Sequence, residues 1–128
     1  MTREEISTDD APESIGPFSQ AIRHDDTVYV SGQGPVDPET GEIVGDDIKE
    51  QTARTLENIE VVLEAADTSL ANVLKTTVFV TDMDDYDDVN EVYAEYMSDP
   101  FPARSAVEVA DLPVDIGVEI EVIATVQS

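Results

Sequence analysis

The sequence predicts an α+β fold in which a mixed β-sheet carries two helices on one face. Apolar residues recur at intervals of three and four in two stretches, Asp47–Ala66 and Asp84–Met97, which indicates two amphipathic helices. Residues Val118–Val126 alternate in character, which indicates a strand with two different faces. Because strands precede, separate and follow the two helices, we expect a mixed sheet covered on one side.

The strands before the first helix are predicted from apolar runs bounded by turn residues. Two strands, Phe18–Arg23 and Thr27–Ser31, flank a turn at Asp25-Asp26. The segment Pro35–Gly41 is a turn by composition, and a short strand is expected to follow it at Glu42–Val44.

Three further strands are predicted in the second half of the chain. The segment Val73–Thr81 is rich in β-branched residues, as strands are. Pro100 and Pro102 end the second helix, because proline cannot continue one. Residues 101–121 then read as two strands joined by a short proline-containing turn.

The final strand is expected to present one apolar and one mixed face. The apolar face, which suits packing against the helices, carries Val118, Ile120, Val122, Ala124 and Val126. The other face carries Glu119, Glu121, Ile123 and Thr125. A mixed face of this kind is expected where a sheet meets another subunit or lines a site.

Length and composition predict one domain spanning residues 1–128. The chain is 41% hydrophobic, which is enough for a core of its own. No apolar run approaches the length of a membrane span, and the N-terminus lacks the apolar core of a signal peptide, so a cytoplasmic protein is expected. Cysteine is absent, which excludes disulfides, thiol catalysis and thiolate metal sites. No residue cluster has metal-ligand spacing, so no metal is expected.

The net charge is the most unusual feature of the composition. Thirty acidic residues face only six lysines and arginines, and the formal net charge is -24. Because the acids are scattered along the whole chain, the pattern favours a halophilic protein whose self-repulsion is screened by salt. Nucleic acid binding is disfavoured, since no basic stripe is present to neutralise phosphates.

Arg104 and Glu119 are the candidate chemical groups. Arg104 lies between small residues, which leave room for a ligand, and a guanidinium binds a carboxylate with two parallel hydrogen bonds. Glu119 lies on the final strand, where a carboxylate can order or deprotonate a water. Together they predict a site for a small acid that reacts with water. Two alternatives stay open: Arg104 forms a structural ion pair with one of the many acids, and Glu121, on the same face, replaces Glu119.

Five collinear segments form a wider pattern that extends from about Ala11 to Val126. They are Ile15–Ala21, Ser31–Gln33, Lys75–Val80, Val89–Asn90, and Pro102–Ser105 together with Val118–Ile120. This pattern resembles that of the reactive intermediate deaminase (Rid) family. The resemblance implies a chorismate-mutase-like α+β fold and a homotrimer whose sheets pack around a common axis, with sites in the clefts between subunits.

The resemblance also implies roles for individual residues. Arg104 would bind the substrate carboxylate, while Glu119 and the backbone carbonyl of Ala106 would hold the attacking water. Ala106 stands where many family members have cysteine, and alanine keeps the carbonyl.

Four more residues are implied on the substrate-binding side. Gly32 would contribute its backbone, with Ser31 beside it, and Asn90 would contribute to the ligand cleft. Phe18 stands where the family commonly has tyrosine, so the ring can wall the pocket but its hydroxyl is missing.

The activity implied is that of a 2-iminobutanoate/2-iminopropanoate deaminase, which hydrolyses unstable enamine or imine acids to 2-oxo acids and ammonia without a cofactor. The expected partners are the small substrate and two further copies of the chain, with neither nucleic acid nor membrane. The alternative is a non-catalytic trimeric module that binds small carboxylic acids, which the missing hydroxyl at Phe18 would favour.

The charge pattern predicts that the fold depends on ionic strength. Thermal unfolding should shift steeply upward between low and molar potassium chloride, because the Debye length falls to roughly 3 Å at molar salt and repulsion among the acids is screened. Calorimetry across that range measures the shift. A melting temperature that stays flat would contradict the halophile hypothesis.

Overall fold

A computed structural model describes residues 2–126 of the chain. The strands are β1 (Glu4–Ile6), β2 (Ala21–His24), β3 (Thr27–Gln33), β4 (Val73–Val80), β5 (Ala103–Glu108) and β6 (Val118–Thr125). The helices are α1 (Ile48–Ala65) and α2 (Tyr86–Tyr96), and single 3₁₀ turns occur at Leu70–Asn72 and Met83–Asp85. Neither helix is long and apolar enough to cross a membrane.

The strands form one mixed sheet in the order β1-β2-β3-β6-β4-β5. Every neighbouring pair is antiparallel except β4 and β5, which are parallel. The parallel pair arises because α2 carries the chain back across the sheet between these strands, and such a crossover returns the second strand in the same direction. The predicted mixed α+β sheet is therefore confirmed.

Both helices pack on one face of the sheet. The N-cap of α1 is Asp47, whose carboxylate accepts a hydrogen bond from the backbone N–H of Glu50 at 2.9 Å. The buried face of α1 includes Leu56, Ile59 and Leu63, which are fully excluded from solvent. On the sheet, the predicted apolar face of β6 is buried throughout. The alternation along the final strand therefore places its apolar residues in the core, as expected.

Several predicted boundaries differ from those of the structure. The strand boundaries differ because backbone pairing, rather than side-chain character, decides where a strand begins and ends. The first strand begins at Ala21 instead of Phe18, since the ladder with β3 starts at the pair of Ala21 and Val30. The strand expected at Glu42–Val44 is a single bridge between Val36 and Ile43. At the helices, Asp47 and Ala66 are caps, and Asp84 belongs to a 3₁₀ turn.

The connection between β5 and β6 also differs from the prediction. It spans residues 109–117, and the two strands it joins are not neighbours, because β4 lies between them. Strand β5 therefore forms one edge of the sheet. Strand β1, which was not predicted, forms the other edge.

The face of the sheet opposite the helices is left open in the single chain. Tyr29 of β3 and Val107 of β5 are exposed there, and Phe79 and Ile123 are partly exposed. Acidic and hydroxyl-bearing side chains lie among them, as the mixed face of β6 predicts.

Candidate functional site

Arg104 lies on the helix side of the sheet, near the open edge. Its register partner on β4 is Thr76, which is fully buried beneath α2. The guanidinium donates a hydrogen bond from Nη2 to the hydroxyl oxygen of Tyr86 at 2.8 Å. Its Cζ atom lies 5.4 Å from the ring centroid of Tyr86 and 4.8 Å from that of Tyr93. Two aromatic faces of α2 therefore stabilise the cation.

No carboxylate of residues 2–126 pairs with this guanidinium. Within residues 2–126, ion pairs join Lys49 to Glu91 at 2.6 Å, Arg54 to Glu57 at 3.6 Å and His24 to Asp25 at 3.9 Å. Among these described residues Arg104 has no such partner, although the chain contains thirty acids. The alternative of a structural ion pair is thus not found in the described part of a single chain. The planar set of N–H donors of the guanidinium, which we call its fork, is therefore free to bind an anion.

The backbone of Ala106 faces the open edge of the sheet. Val109 donates its N–H to the carbonyl of Val80 on β4 at 2.8 Å. Because the polar groups of successive strand residues point alternately to the two sides, those of Arg104 and Ala106 point away from β4. The carbonyl of Ala106 is therefore presented at the edge, on the strand that carries Arg104.

Asn90 lies on the same face of α2 as the two tyrosines. Tyr86, Asn90 and Tyr93 are spaced by four and three residues, which aligns them along one side of the helix. The amide oxygen of Asn90 is buried and has no hydrogen-bond partner among the described residues. We call Arg104, Ala106 and Asn90, together with Tyr86 and Tyr93, the arginine group.

Glu119 lies on the opposite face of the sheet, against β3. A Cβ atom placed on Gly32 would lie 2.5 Å from Oε2 of Glu119, so the carboxylate sits directly over the glycine. Burial, and secondly the negative charge of Glu121, raises the pKa of Glu119 above its usual range. Gly32 is thus required for the close approach of this side chain.

Ser31 holds the segment that precedes β2 in place beside Glu119. Its hydroxyl donates to the carbonyl of Ser19 at 2.6 Å, and its N–H donates to the carbonyl of Gln20 at 3.0 Å. These bonds hold the segment after Phe18 against β3, and the ring of Phe18 is left exposed. We call Phe18, Ser31, Gly32 and Glu119 the glutamate group.

A cleft of about 510 Å³ opens over the glutamate group. Phe18, Gly32 and Glu119 line it, whereas Glu121 does not. The remaining walls are Pro12–Ile15, Gln33–Gly34, Val36–Gly41, Pro113, Val114 and Ile116. Glu119 is therefore better placed than Glu121 to meet a ligand.

The single chain does not bring Arg104 and Glu119 together. Arg104 is in register with Thr76, which faces the helices, while Glu119 is in register with Phe79, which faces the other way. Successive residues of β4 point to opposite sides, so the two groups lie on opposite faces of the sheet. One copy of the chain therefore does not combine them in one site, in keeping with the expectation of clefts between subunits.

Sequence reasoning missed the residues that support the two groups. Tyr86 and Tyr93 contact Arg104, but in the sequence they are only part of the apolar periodicity that predicts the second helix. Asn58 is fully buried, donates to the carbonyls of Gly34 and Val36 at 2.9 Å each, and accepts from Arg54 at 2.7 Å. The available signal was an asparagine, a poor helix former, at a buried helix position.

No metal centre is evident in the described residues. Among residues 2–126, no three histidine, aspartate or glutamate side chains are placed to hold an ion together.

Comparison with known proteins identifies the family. A family model described as Endoribonuclease L-PSP matches residues 8–126. The crystal structure of RidA from the Antarctic bacterium Psychrobacter superimposes with a TM-score of 0.93 at 45% identity, covering 96% of this chain and 99% of that one. The chain belongs to the Rid family.

Curated relatives extend along the same length. A RutC family protein of Pyrococcus abyssi is 53% identical over 97% of this chain and 98% of its own. The human 2-iminobutanoate/2-iminopropanoate deaminase is 44% identical over 97% of this chain and 90% of its own. The Rid resemblance inferred from five segments is confirmed.

The contact between Gly32 and Glu119 predicts that Gly32→Ala displaces the carboxylate. The added methyl would overlap Oε2, so the side chain must rotate outward into water. Since burial is the main cause of the raised pKa of Glu119, that pKa should fall toward the ordinary carboxyl value. An NMR titration of the Glu119 carboxyl carbon measures the change.

Gly34→Ala is the matched control, because its added methyl would meet Cδ1 of Ile116 at 2.7 Å instead of a carboxylate. The pKa of Glu119 should stay at its wild-type value in this variant. An unchanged pKa in Gly32→Ala would show that the glycine does not set the position of Glu119.

Proposed function

We propose that the protein hydrolyses small enamine and imine acids, such as 2-iminobutanoate and 2-iminopropanoate, to 2-oxo acids and ammonia. The observation that carries the proposal is the guanidinium of Arg104, which has no acid partner in the described residues and lies at an open sheet edge. The human relative, 44% identical, bears the name of this activity.

Arg104 binds the carboxylate of the substrate. A guanidinium matches a carboxylate with two parallel N–H···O bonds, and it keeps its charge at any working pH. The aromatic rings of Tyr86 and Tyr93 hold the guanidinium from the helix side, so the fork faces outward. The amide of Asn90, whose buried oxygen has no partner among residues 2–126, lies on the same face of α2 as these rings.

Glu119 and the carbonyl of Ala106 hold the attacking water. The water oxygen bonds to the imine carbon while the carboxylate of Glu119 accepts a proton. The carbon–nitrogen bond then breaks, the nitrogen takes up protons and leaves as ammonia, and the carbonyl of the 2-oxo acid forms. The raised pKa of Glu119 makes it a stronger proton acceptor than an ordinary carboxylate. Because such imines hydrolyse unaided, positioning and modest polarisation suffice, and no cofactor takes part.

The complete site requires two copies of the chain. The arginine group and the glutamate group lie on opposite faces of one sheet, so an Arg104 can meet only the Glu119 of a neighbour. The open sheet face carries exposed Tyr29 and Val107, whose burial between copies removes apolar area from water at roughly 25 cal/mol per Å². A closed trimer repeats the same contact in every copy and leaves no copy unpaired.

A binding module without turnover is the second candidate, and Phe18 is the feature that favours it. The ring lies exposed at the mouth of the cleft but offers no hydroxyl to a ligand or water.

The endoribonuclease named in the family description is a poorer candidate, because a net charge of -24 repels the phosphates of RNA. We place the deaminase in the cytoplasm as a single-domain chain, with the small acid as its partner.

Arg104→Ala should reduce imine hydrolysis on the order of 100-fold, because two charge-assisted hydrogen bonds to the substrate are lost. Arg104→Lys should recover little of it, since an ammonium cannot reproduce the fork. The measurement follows 2-oxobutanoate and ammonia while threonine dehydratase generates the imine from threonine. When the wild-type protein is present, ammonia must be released faster than when the dehydratase acts alone.

Arg23→Ala is the control, because Arg23 belongs to neither group and its side chain donates to the carbonyl of Asp25 at 3.0 Å in an exposed turn. It should keep wild-type activity. Full activity in Arg104→Ala would exclude the carboxylate clamp, and wild-type protein that binds 2-oxobutanoate without accelerating hydrolysis would favour the binding module.

Light scattering in molar salt should report a trimer, and mixing variants should test whether the site is shared. Arg104→Ala and Glu119→Gln are each expected to be inactive alone. Refolded together, they should regain part of the activity, because a cleft between unlike copies combines an intact Arg104 with an intact Glu119. A stable, active monomer, or a mixed trimer that stays inactive, would refute the shared cleft.

A further inference from the structure

Tyr86 contacts Arg104 in two independent ways. Its hydroxyl oxygen accepts the hydrogen bond from Nη2 at 2.8 Å, and its ring lies 5.4 Å from Cζ. The second ring, that of Tyr93, is 4.8 Å from Cζ, but its hydroxyl bonds to the hydroxyl of Thr76 at 2.9 Å instead. Both rings can therefore support the charge, while only the phenol of Tyr86 fixes the direction of the fork.

The number of donors shows that this bond need not compete with a ligand. A guanidinium has five N–H donors, and the phenol of Tyr86 uses one of them, which leaves four for other partners. A carboxylate bound side-on needs two of these. The hydrogen bond at Nη2 thus restrains rotation of the guanidinium plane while leaving a free pair of donors.

We propose that Tyr86 is a positioning residue that presets the Arg104 guanidinium for a carboxylate. If the arginine side chain were flexible, binding of the ligand would have to order the guanidinium, and the conformational entropy lost at that moment would weaken the affinity. With the phenol and two rings holding it, that entropy is lost on folding, and the carboxylate binds more tightly. This inference rests on the proposed function only in taking a small carboxylic acid as the ligand.

The predicted effect is on binding rather than on the chemical step. The carboxylate is held in the substrate and in the transition state alike, so weaker preorganisation raises KM and leaves kcat unchanged. Tyr86→Phe keeps the ring and removes the hydroxyl, so it isolates the hydrogen bond from the packing. One hydrogen bond of this type corresponds to a loss of affinity of about three- to tenfold.

The experiment measures the affinity of 2-oxobutanoate, a stable 2-oxo acid, by titration calorimetry with the assembled protein. Tyr86→Phe should bind it about three- to tenfold more weakly than wild type, and KM for the imine should rise by the same factor. In an Arg104→Ala background, Tyr86→Phe should have no further effect, because the group that it orients is absent. The Nε–H of Arg104 should exchange with water faster in Tyr86→Phe, because the guanidinium is less restrained, and NMR measures this rate.

Tyr96→Phe is the matched control. Tyr96 also lies on α2, and its hydroxyl donates to Glu57 at 3.0 Å, so the substitution removes a comparable hydrogen bond. Neither a hydrogen bond nor a ring contact joins Tyr96 to Arg104 among the described residues. Unchanged affinity in Tyr96→Phe alongside the loss in Tyr86→Phe supports the proposal. Equal losses in the two variants, wild-type affinity in Tyr86→Phe, or no binding of 2-oxobutanoate by wild type would overturn it. Binding without imine hydrolysis in wild type would remove the proposed function and leave the role of Tyr86 in place.

Discussion

Strand β6 is the element on which the rest of the structure depends. It pairs with β3 on one side and with β4 on the other, so it joins the two halves of the sheet. Its alternating side chains form the centre of the core on one face and place Glu119 over Gly32 on the other. A shift of one residue in its register would expose the apolar set and bury the carboxylates, so packing of the core also fixes the position of Glu119.

The helices support the glutamate group as well as the core. Asn58 of α1 binds two carbonyls of the chain that follows β3, and Arg54 and Glu57 connect it toward α2. Burial, followed by the hydrogen bond to Glu57, raises the pKa of Tyr96 to about 12, so this phenol remains a donor at neutral pH. One chain of polar contacts thus ties both helices to a wall of the cleft, although the helices lie on the other side of the sheet.

Much of the fold could be predicted from the sequence because its main signals are local. The alternation of β6 and the spacing of α1 appear within single segments, and both elements were found close to their observed bounds. Strand β1 could not be found, since three residues, two of them exposed glutamates, carry no pattern. Family motifs indicated the glutamate group and, in the arginine group, Arg104, Ala106 and Asn90, and the comparisons confirm that the chain belongs to the family. Tyr86 and Tyr93 were not indicated. The sequence does not show that Arg104 and Glu119 lie on opposite faces, because this depends on the register between β4, β5 and β6.

The lone guanidinium of Arg104 has a kinetic consequence in so acidic a protein. An anion that approaches from a distance meets the field of a net charge of -24 and is repelled, and it feels the attraction of Arg104 only at close range. Salt of molar strength confines both fields to roughly 3 Å, which removes the long-range barrier but leaves direct hydrogen bonds almost intact. Encounters with anions should therefore become faster as salt rises, the reverse of electrostatic steering.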